Sequence, residues 1–170
     1  GDAEALELGF RGRIDVTPEE YLRVVRKKAA DVEAHTRISA ILGGGSKEEI
    51  EALSKYGRLL GMLIILRDDL IDMVDFDEAV HRFKRECLPL PILYALQNPK
   101  IKATLSSILL KKTITKKDSK TILQIVNKEG ENEQVRKFMQ KLAEDAYFHI
   151  ENVKENKKYL NLLVNGMLLR

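Results

Sequence analysis

The sequence predicts an all-α protein, on three observations. Capping boxes stand at Thr17-Pro18-Glu19-Glu20 and Ser46-Lys47-Glu48-Glu49. Gly43-Gly44-Gly45 and Gly130 follow apolar-periodic runs as stops. No segment alternates apolar and polar residues as a half-buried strand does. Residues 1–8 read as a helix without a preceding cap, so the expectation is a chain that begins within a larger fold. Proline at the first helical position then opens a helix expected to run from Thr17 to about Leu42, with Tyr21, Val24, Val25, Val32 and Ile38 on its apolar side. The second capping box opens the helix that carries the aspartates. Asp75-Phe76-Asp77-Glu78 reads as the start of a loop or short turn. Pro89 and Pro91 flank the start of an apolar helix through Leu96. Asn98-Pro99 is a turn, and a short helix is expected over about 101–110. Thr115 caps a helix to about Asn127. Residues 131–154 are amphipathic, and a last helix is expected over about 157–169.

At 170 residues the chain is one domain by length, able to bury a core. Its net charge of +3 is mild, with basic and acidic residues interleaved, which argues against nucleic acid as a partner. The single cysteine, Cys87, excludes an intrachain disulfide and fits a reducing compartment. Without a His/Cys cluster zinc is not expected, and the scattered His35, His81 and His149 read as surface residues. The longest uncharged apolar stretch, residues 59–66, is too short to span a bilayer. No signal-peptide pattern is seen, and the expected location is the cytoplasm.

The most informative segment is Asp68-Asp69-Leu70-Ile71-Asp72, which interrupts the apolar run Leu59-Leu60-Gly61-Met62-Leu63-Ile64-Ile65-Leu66. A helix apolar on every side is usually buried. Ionised carboxylates in it are costly unless a cation or metal pairs with them. Asp68 and Asp72 stack four residues apart, with Asp69 rotated by about 100°. Three carboxylates there form a hard-oxygen set suited to Mg²⁺ with phosphate completing its shell. The same spacing also describes a solvated acidic turn where the helix leaves the core.

Several ordered segments resemble one family. They are Thr17-Pro18-Glu19-Glu20-Tyr21-Leu22, Lys27-Lys28-Ala29-Ala30, Leu42-Gly43-Gly44, Tyr56-Gly57-Arg58-Leu59-Leu60-Gly61-Met62, Arg67-Asp68-Asp69-Leu70-Ile71-Asp72 and Leu90-Pro91-Ile92-Leu93-Tyr94-Ala95-Leu96. In order and spacing they resemble the second half of a trans-isoprenyl diphosphate synthase. The resemblance implies a partial helical bundle of the isoprenoid synthase type, lacking its first helices. It implies that Asp68, Asp69 and Asp72 form the second aspartate-rich motif and bind Mg²⁺. It also implies that Lys28, Arg67, Lys84 and Arg85 lie near a diphosphate. The implied reaction is head-to-tail condensation of isopentenyl diphosphate with an allylic diphosphate, in which metal ions neutralise the departing pyrophosphate.

The sequence departs from the family at several points. Lys28-Ala29 stands where the family has Lys-Thr, and Ile65 where it has glutamine. The loop from Met73 to Pro89 is short and lacks a Gly-Lys pair; Arg82, Lys84 and Arg85 are candidate replacements, and a solvated basic loop is the other reading. The first aspartate-rich motif is not in the chain. The expectation is therefore part of a synthase, inactive alone, completed by an N-terminal half or by another copy or chain in an oligomer. The alternative is a catalytically impaired regulatory subunit of a heteromeric synthase.

Overall fold

The computed structural model describes residues 1–168; Leu169, where the last helix was expected to end, and Arg170 lie outside the described residues. Ten α-helices and no strand occur among the described residues: α1 (Asp2–Leu8), α2 (Pro18–Lys28), α3 (Ala30–Leu42), α4 (Lys47–Asp72), α5 (Phe76–Arg85), α6 (Leu90–Ala95), α7 (Lys102–Leu109), α8 (Lys116–Glu129), α9 (Glu131–His149) and α10 (Lys157–Met167). The expected all-α class is what the chain adopts.

The capping boxes form as read. The Glu20 carboxylate accepts from the Thr17 N–H at 2.9 Å, and the Thr17 hydroxyl accepts from the Glu20 N–H at 3.1 Å. Ser46 and Glu49 repeat the exchange at 3.0 and 3.2 Å. Thr115 and Asp118 form a third box at the start of α8, and Gly130 ends that helix in the left-handed conformation. These contacts satisfy backbone donors that the first turn of a helix leaves open.

The chain sorts into two compact units, Gly1–Val24 with Asp68–Val135, and Val25–Arg67 with Arg136–Arg170. In the first, Leu93, Leu105, Ile122 and Val126 are fully buried, and α5, α6 and α7 each pack on α8. In the second, Tyr56, Leu63, Leu66, Met139 and Ile150 are fully buried. The Tyr56 hydroxyl donates to the Leu160 carbonyl at 2.8 Å, and Arg58 pairs with Glu33.

Three expectations need correction. The helix expected over residues 17–42 is two helices, broken at Ala29. The break coincides with a close crossing. A Cβ on Gly61 would lie 2.9 Å from the Ala29 Cβ, so α4 passes almost in backbone contact there. Ile38, placed on the apolar side, is 54% exposed. The loop expected at Asp75–Glu78 is the start of α5: the Asp75 carboxylate accepts from the N–H groups of Asp77 and Glu78 and caps the helix.

Candidate functional site

The aspartate motif is the last turn of α4, in the first unit. Leu66, Leu70 and Met73 are buried, spaced at helical intervals, and this inward stripe carries Asp69 with it. Asp69 is 1% exposed. Asp72, one turn on, is half-buried, whereas Asp68 points outward and is exposed.

Three separate segments converge on the Asp69 carboxylate. The Tyr21 hydroxyl lies 2.9 Å from both oxygens. Arg82 Nη2 donates to Oδ1 at 2.9 Å, and the Leu90 N–H donates to Oδ2 at 3.0 Å. The other arm of the same guanidinium, Nη1, donates to Asp72 Oδ2 at 2.7 Å. Arg82 Nε stands 3.4 Å from a Glu86 carboxylate oxygen. The carboxylates that meet on one cation are thus Asp69 and Asp72, three residues apart, rather than the stacked Asp68 and Asp72.

The electrostatics follow from burial. Burial raises the Asp69 carboxyl above the ordinary carboxylate range, against the pull of Arg82, the Leu90 N–H and the Tyr21 hydroxyl. Asp72 is pushed up to about 6, first by burial, with Arg82 opposing and Asp69, Glu78 and Asp68 adding repulsion. Burial works against the Arg82 charge, but Asp69, Tyr21 and Asp72 outweigh it and hold the guanidinium protonated. Burial, then Asp69, keeps the Tyr21 phenol neutral far above its usual range.

None of the remaining expected site residues is among the partners of Asp69. Lys84 and Arg85 are exposed on α5. Lys28 and Arg67 belong to the second unit and are half-buried. Arg82 was expected only as a candidate replacement for the family's loop lysine, not as the partner of Asp69 and Asp72, and Tyr21 and Leu90 were not among the expected site residues. Helical spacing could have found Arg82: with Ala79 and Phe83 turned inward, residue 82 lies on the inner flank of α5 and residues 84 and 85 do not.

Of the three motif carboxylates, Asp69 and Asp72 share Arg82, and Asp68 is exposed. Among the described residues no group of three His, Cys, Asp or Glu side chains is arranged to hold a metal ion. Asp69 already accepts on both oxygens.

A family model described as polyprenyl synthetase matches residues 2–126, and the chain belongs to that family. A short chain isoprenyl diphosphate synthase of Methanothermobacter thermautotrophicus is 45% identical over 80 residues, 46% of this chain and 25% of the relative. A geranylgeranyl diphosphate synthase of Methanosarcina mazei is 39% identical over 84 residues, 49% of this chain and 26% of that one. Among solved structures, a geranylgeranyl pyrophosphate synthase from Lactobacillus brevis superposes with TM-score 0.87 at 21% identity, over 99% of this chain and 55% of its own. A decaprenyl diphosphate synthase from Rhodobacter capsulatus gives TM-score 0.84 at 23% identity, over 98% and 55%. These two likenesses show the fold. The chain spans about a quarter of the curated relatives' length and about half of the solved ones.

Proposed function

We propose that this chain supplies the second-motif part of a trans-prenyl diphosphate synthase. That enzyme joins isopentenyl diphosphate to an allylic diphosphate in isoprenoid biosynthesis. The chain acts together with the N-terminal part of the fold, carried by the same polypeptide or by another chain of an oligomer. Alone it is inactive. One observation carries the reading. The motif of a family member ends a 26-residue helix, and three separate segments lock its middle aspartate in register, which fixes where Asp68 emerges.

Asp68, being exposed, is the motif residue able to meet Mg²⁺, which when bound supplies Lewis-acid neutralisation of a departing pyrophosphate. Lys84 and Arg85, exposed on α5, are assigned to the diphosphate on resemblance. Lys28 and Arg67 are assigned to it on resemblance. A cytoplasmic location goes with this reading; no described helix is long and apolar enough to cross a membrane.

The Arg82 bridge favours a second reading, a partner subunit of a heteromeric synthase with no metal role of its own. One experiment separates the two. Labelled isopentenyl diphosphate, an allylic diphosphate and Mg²⁺ are given to the native assembly, to the assembly carrying Asp68→Ala, and to the isolated chain. Loss of about 10²–10³-fold with Asp68→Ala supports the first reading. An undiminished rate supports the second. An inactive native assembly removes both, and butanol-extractable label from the isolated chain shows that it is a complete catalyst.

A further inference from the structure

The disagreement between the expected metal site and the observed ion pairs has chemical content of its own. A divalent cation shared by Asp69 and Asp72 needs carboxylate lone pairs directed at a common point. Three donors take most of the lone pairs of Asp69, and the one it would turn toward Asp72 goes to the guanidinium that the two share. Its Oδ1 accepts from Arg82 Nη2 and its Oδ2 from the Leu90 N–H, with the Tyr21 hydroxyl 2.9 Å from each. Asp72 Oδ2 accepts from Arg82 Nη1 at 2.7 Å. The common point between the two carboxylates is occupied by a guanidinium whose side chain is only 14% exposed. Guanidinium is planar, always charged and forked to match two acceptors, so it remains a cation between them at any working pH. Glu86, just past the end of α5, adds a carboxylate 3.4 Å from Nε without hydrogen-bonding it. A metal entering here would meet a positive charge at contact distance. Displacing it would leave a buried arginine and strip Asp69 of a partner.

We propose that Arg82 is a built-in counter-cation of the motif. It fills the place between Asp69 and Asp72 that a divalent cation would need. It commits that pair to the fold and leaves Asp68 as the motif's one open carboxylate. The inference concerns metal binding alone and stands apart from whether the chain takes part in prenyl transfer.

The test measures Mn²⁺ binding to the whole chain by the loss of the free-ion paramagnetic resonance signal, Mn²⁺ replacing Mg²⁺ as an oxygen-seeking ion. Four proteins are compared: the natural chain, Asp72→Asn, Arg82→Gln, and the double variant. The natural chain and Asp72→Asn should bind Mn²⁺ alike. Arg82→Gln should bind it at least about tenfold more tightly, and adding Asp72→Asn should abolish that gain. A fall in the affinity of the otherwise natural chain on Asp72→Asn overturns the proposal, as does an Arg82→Gln protein that folds and gains nothing. If Arg82→Gln does not fold, the comparison of the natural chain with Asp72→Asn decides alone.

Discussion

The Tyr21 hydroxyl donates to the buried Asp69 carboxylate at 2.9 Å, 48 residues away in sequence, and so ties the first turns of α2 to the last turn of α4. A hydrogen bond to a charged acceptor contributes about 1.5–3 kcal/mol. Tyr21→Phe keeps the ring and removes only this donor. The urea midpoint should therefore fall by that equivalent with the slope unchanged. An unmoved midpoint would show that the bond contributes nothing in solution.

Arg82→Ala should cost more. It leaves Asp69, 1% exposed, as a buried carboxylate without its cation. Breaking one side of such a pair typically costs about 3–5 kcal/mol. The double variant Asp69→Asn with Arg82→Met removes both charges and should be more stable than Arg82→Ala alone. Denaturant melts of the set give the coupling directly. A double variant as unstable as the sum of its parts would show that the charges are not coupled.

Gly57→Ala should disrupt the crossing of α4 with α3. A Cβ there would lie 2.0 Å from the Thr36 hydroxyl oxygen and 2.9 Å from the Val32 carbonyl. The Thr36 side chain can be removed, but the carbonyl cannot. Overpacking of this kind costs about 1–3 kcal/mol. Adding Thr36→Ala should restore only part of it. Thermal melts of the three variants check this, and full restoration would place the conflict at Thr36 alone.

The cap of α8 gives a pH dependence. The Lys111 ammonium, then the Thr115 N–H and hydroxyl, lower the Asp118 carboxyl to about 2 from an ordinary 3.8. A group depressed in the folded state contributes stability that is fully present above its unfolded value and is lost as pH falls through its folded one. The loss should therefore run from about pH 4 down to about 2. Asp118→Asn should flatten that part of the melting-temperature profile. Added salt should weaken the effect, because the pair is solvent-exposed.

The caps, glycine stops and apolar periodicity made most of the helices legible, because those signals are local. The split at Ala29 was not; it coincides with the close approach of Gly61 from another helix, which no local signal reports. Helix α5 was hidden by reading Asp75–Glu78 as a turn; an aspartate that opens a turn and one that caps a helix look alike until the next eight residues are read for period. The aspartates were found, but their pairing was not. Asp69 and Asp72 on one side and Asp68 on the other follow from which face of α4 is buried. A stretch apolar all round, residues 59–66, does not disclose that face.

Leu90 lies between Pro89 and Pro91, and neither proline has an N–H. The N–H groups of Ile92 and Leu93 already bond back to the Pro89 carbonyl at 3.0 and 3.2 Å. The amide that Asp69 accepts is thus the one open donor at the start of α6. Because that donor is backbone, position 90 can drift to almost any residue without loosening the aspartate, proline excepted. Position 69 has no such freedom. Substitution tolerance is therefore lopsided across a single hydrogen bond. In a saturation library scored for folding, position 69 should reject change through its polar contacts, and position 90 through the volume and polarity of its buried side chain.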